Sequence, residues 1–129
     1  MGERFYRRMF LTGALWNLLG GIVLIFFAPF IFGTAGLVPP HPPLFFHSWI
    51  ALFMTFGIGY YMVSRNPYPN KIVVVLGIIG KLAFSVIFIW NLRAFEGDVA
   101  PVFLIAVVGD LVYVILFGKF LAFARSQGK

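Results

Sequence analysis

The chain has 129 residues, of which 61% are hydrophobic and 11% charged, with no cysteine and a formal net charge of +6. A soluble domain carries roughly 25% charged residues, so this chain has too little polar surface to cover a globule in water and reads as a single membrane-embedded domain. The lack of cysteine excludes disulfides, thiolate metal sites and thiol-redox chemistry of the chain's own. The basic residues sit at segment ends without a stripe of exposed aromatics between them, which argues against nucleic acid as a partner.

A hydrocarbon core about 30 Å thick takes roughly 20 apolar residues as a helix. The first such stretch is Phe10–Phe32, preceded by Arg4, Arg7 and Arg8. At about 23 residues, and with Pro29 and Phe30 where a cleavage site would need small residues, it is expected to be a membrane helix and not a signal peptide. Gly13, Asn17, Gly20 and Gly21 share one of its faces, at spacings of three and four. The break from Gly33 to Pro43 contains Pro39-Pro40-His41-Pro42-Pro43, which predicts an extended polyproline arm.

The second stretch, Leu44–Ser64, carries Gly57 and Gly59, and His47 stands about one turn inside its outer end. His47 is a candidate for hydrogen bonding a headgroup, the backbone or a quinone. A bis-histidine haem would need a second histidine at similar depth, and His41, the only other one, lies in the loop. No carboxylates and histidines are spaced as metal ligands on one face, so no metal site is expected. Arg65 to Lys71 then forms a tight polar turn with two prolines.

The third stretch is Ile72–Arg93, with Gly77, Lys81 and Ser85 on one face. A third break, Ala94 to Ala100, holds Glu96, Gly97 and Asp98. Pro101 suits the first turn of the last stretch, Pro101–Ala122, in which Ala106, Asp110 and Tyr113 share a face. The glycines at helical spacing predict close helix contact, because small residues let backbones approach where no hydrophobic effect drives helices together in lipid. The expected fold is all-α, an antiparallel bundle of four transmembrane helices.

Orientation follows from lysine and arginine in the loops. Arg4, Arg7, Arg8, Arg65, Lys71, Lys119, Arg125 and Lys129 fall on one side, against Arg93 alone on the other, and Lys81 is inside the membrane. Both termini are therefore expected in the cytoplasm. Tyr6, Tyr60, Tyr61 and Tyr68 near the inner boundary, and Trp49 and Trp90 near the outer one, are expected to form interfacial belts.

Lys81 lies about 13 Å above the inner start of its helix, and Asp110 about 16 Å above the same surface. The two are thus level on consecutive helices. Each charge alone costs roughly 2.5–3.5 kcal/mol at mid-membrane on insertion scales, so they are expected to pair, with Asn17 and Tyr113 as hydrogen-bonding neighbours. A register-fixing ion pair and a site for a ligand, proton or ion are the two readings of this cluster.

Three passages carry a family resemblance: Phe26-Phe27-Ala28-Pro29 followed by a glycine, Phe56-Gly57-Ile58-Gly59-Tyr60, and a short last helix holding a polar residue. In these the chain resembles the small DoxX-like four-helix membrane proteins of bacteria. The resemblance covers most of the chain and implies a helix bundle in a bacterial inner membrane. It implies no activity, and the Lys81–Asp110 placement does not come from it.

Three functions are expected in order of preference. The first is a binding or accessory protein that holds a lipid-like molecule, or a partner within a homo-oligomer or larger membrane assembly. The second is a proton- or anion-coupled transporter or channel acting as an oligomer. The third is a membrane enzyme of isomerase type, with Asp110 or His47 as acid–base group. No catalytic constellation selects the third, and no cofactor is indicated.

Overall fold

The computed structural model describes residues 1–92 and 101–129. The long regular elements among them are four helices: α1 (Glu3–Gly33), α2 (Leu44–Arg65), α3 (Lys71–Asn91) and α4 (Pro101–Ser126). Each is long and apolar enough to cross a membrane. The expected break around Glu96, Gly97 and Asp98, and the outer charge Arg93, lie outside the described residues.

The helices overrun the apolar stretches where the flanking sequence permits. α1 begins at Glu3 because nothing between Glu3 and Met9 breaks a helix, and the Arg7 Nε donates to Glu3 Oε1 at 2.8 Å, one turn apart. Pro29 lies inside the same helix. It has no N–H to donate, and its ring crowds the carbonyl of residue 25. The backbone gives way at Phe27, which leaves helical geometry with φ −121° and ψ 15°. α1 stops at a Schellman turn: Leu37 N–H donates to the Phe32 carbonyl at 3.0 Å, and Gly36 N–H donates to that of Gly33 at 3.0 Å. Gly36 has the positive φ, 67°, that this turn requires.

The arm that follows, expected to be extended, contains a bend. Residues 37–40 carry no regular structure, residues 41–42 bend, and the His41–Pro42 peptide is cis. At the far end, Pro101 occupies the first position of α4, where its missing N–H is no loss.

Residues 1–67 and 68–129 form two compact units, α1 packing with α2 and α3 with α4. In the first, contact is closest at two glycines. A Cβ on Gly57 would stand 2.9 Å from Leu18 Cγ, 3.0 Å from Asn17 Cβ and 3.2 Å from the Ala14 carbonyl oxygen. One on Gly21 would stand 2.3 Å from Met54 Cγ. Hydrogen at these positions lets α1 and α2 meet along their backbones, where dispersion contacts hold helices together in an apolar medium. Phe10, Ala14, Ile50 and Val63 are buried in this unit, and Val74, Val107, Phe117 and Phe120 in the second.

The aromatic residues expected at the membrane boundaries are not all turned outward. Trp90 is 83% exposed and Tyr61 49% exposed, but Tyr6 and Tyr60 are almost wholly buried. These two tyrosines pack beside phenylalanines, Tyr6 edge-on to Phe5 at 5.4 Å and Tyr60 tilted to Phe56 at 6.2 Å. Their helical positions turn them inward, and a depth count along the sequence does not register rotation about the helix axis.

Candidate functional site

Lys81 and Asp110 make the ion pair anticipated from their depth. The Lys81 ammonium donates to Asp110 Oδ1 between α3 and α4, across a sequence separation of 29 residues. Both side chains are over nine-tenths buried. Lys81 sits mid-way along an apolar helix whose other buried residues, Val74, Gly77 and Ser85, follow at intervals of three and four. Asp110 shares its face of α4 with Val107 and Phe117. Each charge therefore has the other as a charged partner in surroundings of carbon.

Tyr113 meets the pair through its ring. The Lys81 Nζ lies 5.4 Å from the centre of the Tyr113 ring, so the ammonium meets the electron-rich face of the phenol. Tyr113 is itself tilted against Phe117 at 5.8 Å. Asp110 and Tyr113, one turn apart on α4, thus approach the same ammonium from its two preferred kinds of partner, an anion and an aromatic face.

Asn17 belongs to the first unit. Its side-chain amide Nδ2 donates to the Phe53 carbonyl at 2.8 Å, so its donor is used between α1 and α2. Its Oδ1 is buried without a hydrogen-bond partner. His47 is exposed near the start of α2, its backbone N–H bonded to the Pro43 carbonyl at 2.8 Å and its ring 6.0 Å from that of Phe46. Lys81, Asp110 and Tyr113 are the three predicted residues gathered in one place within the second unit.

Two further residues matter that the list of candidates lacked. Ser85 lies one turn beyond Lys81 on the same face and is 2% exposed, and its hydroxyl is buried without a hydrogen-bond partner. A buried polar group left unpaired costs roughly 1–3 kcal/mol, which makes it an open valence beside the ion pair. Helical spacing from Lys81 was the signal for it. Arg7 is the second. Its guanidinium donates to the Ser64 carbonyl at 3.2 Å and to that of Arg65, covering carbonyls that the end of α2 leaves unpaired. No sequence signal links positions 7 and 64.

The arrangement offers a charge-assisted donor, a carboxylate acceptor and a hydroxyl on a helix pair that is otherwise apolar. Such a set can hold a polar head whose remainder is hydrocarbon. Among the described residues no three histidine or acidic side chains gather as metal ligands. Compared with known proteins, the chain matches no family model, no curated protein and no solved structure.

Proposed function

We propose that the chain is a multi-pass membrane protein whose four helices form an antiparallel bundle with both termini in the cytoplasm, and that it binds a lipid-like molecule by its polar head at Lys81, Asp110 and Ser85. The observation that carries the binding role is the buried ion pair with an unsatisfied hydroxyl one helical turn away. An ion pair that served only to fix helix register would need no further polar group beside it. An added acceptor or donor from a ligand would complete the set, and the apolar surfaces of α3 and α4 suit a hydrocarbon tail.

The membrane reading rests on four apolar helices and on outward residues such as Leu52, Ile79, Val86 and Ile115, each more than half exposed. Such residues would be costly in water and cost nothing in lipid. The cytoplasmic placement of the termini rests on the bias of lysine and arginine. Antiparallel packing is supported in the first unit by contacts that pair Arg7 with Ser64 and Asn17 with Phe53. The resemblance to DoxX-like proteins agrees with this architecture and with a bacterial inner membrane.

The test is mass spectrometry of lipids and metabolites that co-purify with the parent chain and with a variant carrying Lys81→Met and Asp110→Leu together. The paired change removes both charges while keeping bulk, so the variant is expected to fold and to lose the bound molecule. Identical molecules on parent and folded variant, or none on either, would leave the ion pair a purely structural element.

A further inference from the structure

The exposed basic end of the first helix pair is organised around Arg7. Arg7 bonds Glu3 at 2.8 Å and the Ser64 and Arg65 carbonyls. It thereby joins the first turns of α1 to the end of α2. In doing so it also consumes Glu3, the one acidic residue that the first unit contains.

What is left at this end is three exposed guanidiniums: Arg4, Arg8 and Arg65. Arg4 and Arg8 are one turn apart on one face of α1, where like charges repel. Arg65 is brought to the same end by the bond that its own backbone accepts from Arg7. Among the described residues none of the three makes an ion pair. In the second unit Lys81 has Asp110, and Lys129 lies 4.3 Å from the centre of the Tyr68 ring. Three unpaired guanidiniums held together by a fourth form a surface that an anion would relieve.

We propose that Arg4, Arg8 and Arg65 form a docking surface for the phosphate of anionic phospholipids at the bilayer surface. This rests on the membrane reading above. Arginine presents several N–H donors in a planar fork that matches a phosphate, and it is more weakly hydrated than an ammonium. Beneath the cluster, outward side chains such as Leu11 and Leu15 are apolar, so an acyl chain has hydrocarbon to lie against. A headgroup on the guanidiniums and tails along the helix therefore satisfy the same molecule at both ends.

The test uses the full chain reconstituted in phosphatidylcholine vesicles containing spin-labelled phosphatidylglycerol or spin-labelled phosphatidylcholine. The motionally restricted fraction of each label gives the selectivity. The parent is expected to prefer phosphatidylglycerol, by roughly fivefold for a single guanidinium at the headgroup and more for a cluster. A variant carrying Arg4→Gln, Arg8→Gln and Arg65→Gln is expected to fall to little or no preference. Because these side chains are exposed and make no ion pair with another described residue, its helicity and melting should match the parent's. A matched control carries Lys71→Gln, Lys119→Gln and Arg125→Gln and should keep most of the preference. Equal loss in both variants would assign the effect to net charge and overturn the docking surface, as would an unchanged preference in the first. Restricted lipid without any preference in the parent overturns this proposal alone. A parent that fails to float with the vesicles overturns the membrane reading as well.

Discussion

Lys81 on α3 donates to Asp110 on α4, and the two buried side chains form an ion pair within the second helix pair. Removing one partner leaves the other charged among carbon, which typically costs about 3–5 kcal/mol. Lys81→Met or Asp110→Leu alone is therefore expected to lower the melting temperature in detergent markedly. The double change should recover much of the loss, since an apolar pair of similar bulk needs no partner. Single variants that melt like the parent would show that the pair contributes no stability.

The position of this pair was legible in the sequence because depth along two consecutive helices needs only residue counts and a rise per residue. Rotation about the helix axis was legible where glycines marked a face, as at Gly21 and Gly57, both of which have a neighbouring helix within 3 Å of a notional Cβ. It was not legible for Tyr6 and Tyr60, which a depth count along the sequence puts near the inner boundary and which are buried. Contacts through the backbone left no trace at all. Arg7 chooses the Ser64 and Arg65 carbonyls, and every residue type offers the same carbonyl, so position 64 carries no mark of its partner. Tyr113 was found by spacing, but spacing gives a neighbour and not an orientation. Here it is the ring face that meets the ammonium.

Two glycines of the same chain should respond oppositely to alanine. On Gly57 the new methyl would meet Leu18, Asn17 and the Ala14 carbonyl oxygen at 2.9–3.2 Å. The carbonyl belongs to α1 itself and cannot swing away, so the helices must part, at a cost of about 1–3 kcal/mol. On Gly118 the methyl would meet nothing within 4 Å, and helix propensity favours alanine by about 1 kcal/mol. Thermal unfolding in detergent should show Gly57→Ala below the parent and Gly118→Ala at or above it. Equal behaviour of the two would mean that α1 and α2 do not meet closely at Gly57.

Arg7 and Glu3 form a second contrasting pair. Arg7→Gln removes both bonds to the end of α2 and the favourable placement of a cation at a helix C-terminus. The side chain is partly exposed, so the expected loss is about 1 kcal/mol after solvent screening. Glu3→Gln leaves the bonds from Arg7 to α2 in place, and the pair one turn apart that it removes is worth about 0.2–0.5 kcal/mol. Hydrogen exchange of Arg65 and Asn66 backbone amides reads the effect locally. Faster exchange in Arg7→Gln and parent-like exchange in Glu3→Gln are expected. Matching exchange in all three proteins would show that Arg7 does not hold the two helices together.

Orientation can be read chemically with little background, because the chain contains no cysteine. Single cysteines at Gly2, Asn66 and Gln127 should resist a membrane-impermeant maleimide applied to intact cells and react once the membrane is opened. Cysteines at Pro40 and Gly97 should react from outside without any opening. The expectation follows from the basic residues Arg4, Arg7, Arg8, Arg65, Lys71, Lys119, Arg125 and Lys129, all of which flank the protected positions. Gly2, Asn66, Gln127 and Pro40 are exposed in the fold, so lack of labelling there reports the membrane and not burial. If Asn66 reacted from outside while both termini stayed protected, a span would be missing on each side of it. The four-pass reading would then fail, although each helix is long enough to cross.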